Sequence, residues 1–174
     1  MGWPIARFLK RASFKGALSS ERIRFLFRAD QGRVDRDVWR RAALGLLAFI
    51  APFIGVGVLL APYTEHDLAK SPLFVPMTAL AYAYLIFFAF VAMLVAISFV
   101  NLSAKRFRDL GLPAPLGLAS LPVLAVFLAA AAHWLQPRIA EVMPRWQVYP
   151  FDAAAILLTG WTLYQLGFAP GREK

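Results

Sequence analysis

The 174-residue chain contains no cysteine, which removes disulfides and thiolate chemistry. Acidic residues are scarce: ten Asp and Glu stand against nineteen Lys and Arg, a formal net charge of +9. No glycine-rich phosphate loop, nucleophile elbow or zinc-ligand spacing occurs, so no catalytic residue and no cofactor is expected. Two histidines, His66 and His133, fall in separate loops; His66 with Glu65 or Asp67 is a thin basis for a metal site, and a solvated His66 with an interfacial His133 is the expectation. Charge is also missing from the long apolar runs. Ala42 to Leu60, Leu73 to Val100, Pro115 to Leu135 and Phe151 to Phe168 hold no interior Lys, Arg, Asp or Glu, and Asp152 stands at the very start of the last.

What is present is apolar residue. Hydrophobic residues make up 60% of the chain and the mean hydropathy is +0.59, against about 45–50% apolar in soluble domains. Each run reaches or approaches the ~20 residues a helix needs to cross ~30 Å of hydrocarbon. Stretches such as AYAYLIFFAFVAMLVAISFV lack the polar face a soluble amphipathic helix would carry. The expectation is an all-α membrane protein with four transmembrane helices, at about 36–60, 73–110, 115–135 and 151–168. These make a membrane domain over 30–168, with a short tail at 169–174. Because 41 largely polar residues precede the first run, that run is expected to be a retained span and not a cleaved signal.

The basic residues are unevenly placed. Sixteen of the nineteen lie in 1–41, in 101–114 or in the tail, and the other two loops hold Lys70, Arg138 and Arg145. The positive-inside bias then places both termini and the central loop in the cytoplasm, N-in and C-in. Tyr63, Trp134, Trp146 and Tyr149 fall at the opposite boundary, and Trp39 marks the start of the first span. Residues 1–29 form a basic cytoplasmic arm. In WPIARFLKRA, Ile5, Phe8 and Leu9 recur at helical spacing with Arg7, Lys10 and Arg11 between them, and Lys15 follows. Such an amphipathic segment suits the headgroup plane of an anionic membrane. A second short helix is expected over Glu21 to Ala29 with Ser20 as its N-cap.

Within the runs, Ala51 with Gly55, Ala92 with Ala96, and Ala125 with Ala129 are four apart, a spacing that permits close helix contact or a homo-oligomer face. Pro52, Pro76 and Pro122 are expected to bend their helices. Asp35 is placed to cap a helix starting at Arg36. At the far end of the second span, Lys105, Arg106 and Arg108 complement the negative end of the helix dipole, Gly111 follows the last helical residue and Pro113 blocks continuation. Asp109 opposes the same dipole. It is expected to pair with Arg33 or Arg36, Arg106 being the local alternative.

Gly32, Arg33, Arg36 and Trp39 before the first span, with Lys105, Arg106, Arg108, Asp109 and Gly111 after the second, resemble the two motifs of a bacterial inner-membrane family described as domain of unknown function 805. The resemblance runs from about Phe27 to Phe168. It departs at Arg108, where that family usually has His, at LPAPLG in place of a Ser-Gly-Trp-Trp stretch, and at the GFAPGREK tail. What it implies is an inner-membrane protein without assigned activity. Function is therefore expected to be non-catalytic, with a basic face for anionic phospholipid or for a membrane or cytoplasmic protein partner, and without nucleic-acid binding. The second reading is a small-solute transporter or channel component acting as an oligomer, with a polar cavity lined by Tyr82, Ser98 and Thr159.

Overall fold

The computed structural model describes residues 23–28, 32–64, 75–141 and 143–171. Residues 1–22, with Arg7, Phe8, Lys10, Arg11, Lys15 and Ser20, lie outside the described residues, as does His66 with its neighbours Glu65 and Asp67. Among the described residues the chain is helical, without strand. Helix α1 is Arg36–Leu60, α2 is Pro76–Leu110, α3 is Pro115–Leu135 and α4 is Tyr149–Phe168, with a π-helical turn at Arg24–Arg28 and short 3-10 turns between α1 and α2 and between α3 and α4. Of the helix expected over Glu21 to Ala29, residues 23–28 are described and are helical, with π-type bonding over Arg24–Arg28, and the rest lies outside the described residues.

The helix ends follow from local chemistry. The Asp35 carboxylate accepts from the backbone N–H of Val38 (2.9 Å) and starts α1. Pro76 occupies the first turn of α2, where its missing N–H costs nothing, and so does not bend it. Gly111 ends α2 in the left-handed region (φ 71), its N–H bonding Arg108 O and the Leu112 N–H bonding Phe107 O, both at 3.1 Å. This is the Schellman arrangement, which glycine adopts without Cβ strain. Pro52 and Pro122 lie inside α1 and α3.

Helix α2 packs against α1 on one side and α3 on the other, and α3 packs along α4; α1 meets α4 over a shorter stretch. Three helices, α1, α2 and α3 with the turns that extend α1 and α3, are long and apolar enough to cross a membrane. Helix α4 has 20 residues but carries Asp152, Thr159, Thr162 and Gln165, which reduce its apolarity.

Large apolar side chains face outward in all four helices, among them Leu59, Ile86, Phe90, Leu128 and Ile156. A surface of this kind is incompatible with water and fits lipid. On α3 one face is small and buried: Ala119, Pro122, Ala125, Ala129 and Ala132, so the expected Ala125 and Ala129 spacing does mediate close packing. Ala51 and Gly55 are exposed, and a Cβ added at Gly55 would meet no other part of the bundle within 4 Å. The larger core residues gather elsewhere. Val34, Trp39, Leu102, Ala104, Phe107, Ala119 and Leu166 form one buried cluster at the end of the bundle where α2 finishes.

Candidate functional site

At 1.5 Å per residue the 35 residues of α2 extend about 52 Å, well beyond ~30 Å of hydrocarbon. The excess turns sit in protein. Leu102 through Phe107 are all buried, and Arg106 and Lys105 are the two largest fully buried side chains, at 1% and 0% exposure. A cation without partners in such a place would cost several kcal/mol, so the question is where their donors go.

They go to backbone carbonyls. The Lys105 ammonium donates to Phe25 O and to Leu26 O (3.0 Å), and lies 4.5 Å from the centre of the Phe25 ring. One turn earlier on the same face, Asn101 Nδ2 donates to Phe27 O (3.0 Å). These two residues hold the Arg24–Arg28 turn against α2. On the other side Arg106 donates from Nε to Leu166 O (3.3 Å), from Nη2 to Ala169 O (2.5 Å) and from Nη1 to the Asp109 carboxylate. Arg40 on α1 adds a bond from Nε to Gly167 O (2.8 Å), its guanidinium 5.1 Å from the Phe168 ring centre. The last carbonyls of α4 thus meet two guanidinium groups, which satisfy them and complement the negative end of that helix.

These contacts revise three expectations. Asp109 pairs with Arg106, its neighbour at i−3, and not with Arg33 or Arg36. The local pair wins because Arg106 is pinned in place by α4, while Arg33 is exposed and Arg36 lies 3.8 Å from Asp37. Lys105 and Arg106 do not cap their own helix but neighbouring segments. Trp39 is not a headgroup anchor: it is 4% exposed, packs edge-on to Phe99 at 6.3 Å and donates from Nε1 to Ser103 Oγ (3.4 Å). The motif residues do come together. Gly32 (φ 104) lies so close to Phe25 that a Cβ would meet its ring at 2.8 Å, and a Cβ on Gly171 would meet the Asp109 carboxylate at 2.7 Å. Trp39, Lys105, Arg106, Asp109 and Gly32 therefore form one knot in which α2 holds the amino-terminal turn, the start of α1 and the end of α4. Arg108 is partly buried beside it.

Around the knot Arg24, Arg28, Arg33, Arg36 and Arg41 are exposed. At the opposite end Trp134, Trp146 and Tyr149 are exposed, Arg138 stacks over the Trp134 ring at 3.8 Å, and His133 Nε2 meets Asp152 at 2.9 Å. His133 thus has a partner on α4 that sequence spacing did not reveal. No group of three or more metal-ligating side chains occurs among the described residues.

Between the helices lies a cleft of about 760 Å³ that reaches from Trp39 and Arg40 to Ile50 on α1 and has walls from all four helices. Thr159 lines it, but the expected polar trio does not form: Ser98 donates back to Leu94 O (2.7 Å) and Tyr82 to Thr64 O (2.9 Å). The chain is an all-helical protein with an outward apolar surface and three helices able to cross a membrane. Compared with models of protein families, with curated proteins and with solved structures, it matches none.

Proposed function

We propose that this chain is a non-catalytic integral protein of a bacterial inner membrane, a member of the family its two motifs resemble, whose basic cytoplasmic end binds the anionic lipid surface. In this reading α4 is the fourth span, both termini face the cytoplasm, and the basic arm at 1–29 lies on the same surface. The observation that carries it is the division of labour among cations at one end. Lys105 and Arg106 are committed to backbone carbonyls, which leaves Arg24, Arg28, Arg33, Arg36 and Arg41 exposed around them. Each basic residue near an anionic surface contributes about 1 kcal/mol, screened over about 8–10 Å at physiological salt. A transporter or channel component acting as an oligomer gains no support from the contacts of Tyr82 and Ser98, whose hydroxyls are spent on nearby carbonyls.

The test is thermal unfolding of the full chain in nanodiscs of graded phosphatidylglycerol content. Unfolding temperature should rise with the anionic fraction, and added salt should reduce the gain. Equal stability in neutral and anionic discs at low salt refutes the reading.

A further inference from the structure

We infer that the interhelical cleft holds one acyl chain of an anionic phospholipid from the leaflet at the basic end, with the lipid phosphate on Arg40. This rests on the reading just proposed and names a specific site within it. Three features choose the occupant. The first is depth. The α1 wall from Trp39 to Ile50 is about 16 Å long at 1.5 Å per residue, roughly half of the ~30 Å hydrocarbon thickness. That is the reach of one leaflet, whereas a partner's spanning helix would need a groove along the whole depth.

The second is chemistry along the walls. Ala43, Ala92, Ala96 and Val123 line the cleft, with Thr159 as the one hydroxyl and Arg40 as the one charge. A polar solute would strand its hydrogen-bonding groups there. Leu44, Leu47 and Phe127 on its edge are exposed, so the cleft opens sideways to lipid and a chain can enter from the bilayer.

The third is the mouth. Arg40 Nε is fixed by Gly167 O and its guanidinium carbon lies 5.1 Å from the Phe168 ring centre, while its two terminal nitrogens have no partner among the described residues. A guanidinium held by its inner nitrogen presents the outer pair as a fork, the geometry that matches a phosphate. Arg36 stands one turn earlier on α1, exposed, at the level where a second headgroup oxygen would lie.

The experiment is native mass spectrometry of the full chain, delipidated in mild detergent and titrated separately with phosphatidylglycerol, phosphatidylcholine and inorganic phosphate. One phosphatidylglycerol should be retained per chain, with phosphatidylcholine and inorganic phosphate each at least about tenfold weaker. Ala96→Phe, which fills the cleft, should weaken phosphatidylglycerol about tenfold. Ala92→Leu, one turn earlier on the same wall, should do the same and serves where Ala96→Phe does not accumulate. Arg40→Gln, which removes the charged fork, should bring phosphatidylglycerol retention down to that of phosphatidylcholine, and undiminished selectivity in it overturns the phosphate contact. Wild-type retention in a cleft-filling variant of unchanged helicity overturns the proposal, as does equal retention of the neutral lipid. Inorganic phosphate bound as tightly as phosphatidylglycerol would make the site a phosphate site and overturns it too. The nanodisc stability gain separates the two readings: it should persist in Ala96→Phe if the exposed arginines supply it, and its absence in the wild-type chain removes the surface reading alone.

Discussion

An acid in the last turn of a helix faces unfavourable backbone carbonyls, and Asp109 is stable there because Arg106 is fixed beside it with three of its donors used. Removing the carboxylate leaves a buried guanidinium with only carbonyl partners. Asp109→Ala should therefore lower stability by about 1–3 kcal/mol, read as a fall in unfolding temperature in detergent. Arg33→Ala and Arg36→Ala should each stay within about 0.5 kcal/mol, the range of exposed substitutions. Combined with Asp109→Ala they should be additive to about 0.3–0.5 kcal/mol; strong coupling to either would restore the long-range pair. The sequence made Asp109 conspicuous but could not name its partner. Lys105 and Arg106 were harder still, because their acceptors are main-chain carbonyls of residues 60 to 80 positions away. Every residue offers a carbonyl, so no side-chain type marks that role. The caps at Asp35 and Gly111 were legible for the opposite reason: their chemistry is complete within four or five residues.

Among the elements, α2 organises the rest by being too long for the bilayer. Its overhang carries Asn101 and Lys105 on one face and Arg106 on another, so one helix docks two segments that are remote in sequence. Apolar periodicity placed the start of the helix within a few residues and its end at Leu110. It gave no sign that the final turns sit in a protein core, since a basic turn after a span looks the same whether it meets water, headgroups or a neighbouring chain segment. Lys105→Met tests the docking. Methionine fills similar space but leaves the carbonyls of Phe25 and Leu26 without their donor. Residues 24–28 should then open more often by about tenfold, the equivalent of 1.4 kcal/mol. Trypsin should cut after Arg24 or Arg28 correspondingly faster, because cleavage follows the population of the open form. Helicity by circular dichroism should stay near the wild-type value. An unchanged cutting rate would mean that Asn101 and the packing of Phe25 on Gly32 hold the turn without the ammonium.

For the molecule as a whole, the buried cluster lies at one end while the apolar stretches of α1 and α2 have almost no buried residues. The middle of these helices turns its apolar side chains outward, as a helix able to cross a membrane does, and the bundle's specificity sits in the knot. In the proposed reading that asymmetry sets the orientation. The knot and its ring of arginines need an aqueous, anionic boundary, and the exposed Trp134, Trp146 and Tyr149 suit the interface on the other side. The cysteine-free chain allows a direct test by single substitutions. Ser19→Cys and Ala114→Cys should be protected in intact cells from an impermeant thiol reagent, and Ser71→Cys and Gln147→Cys should be labelled. Permeabilised cells should label all four. The fourth span is tested by the same pattern, since Gln147 and the carboxyl-terminal tail fall on opposite sides only if α4 crosses. Labelling of Gln147→Cys from outside, with Glu173→Cys protected until permeabilisation, would make α4 a span despite Asp152, Thr159, Thr162 and Gln165. Labelling of both positions from outside would leave α4 uncrossed on the outer side, an outcome opposed by the bonds that tie its last carbonyls to Arg40 and Arg106 at the knot.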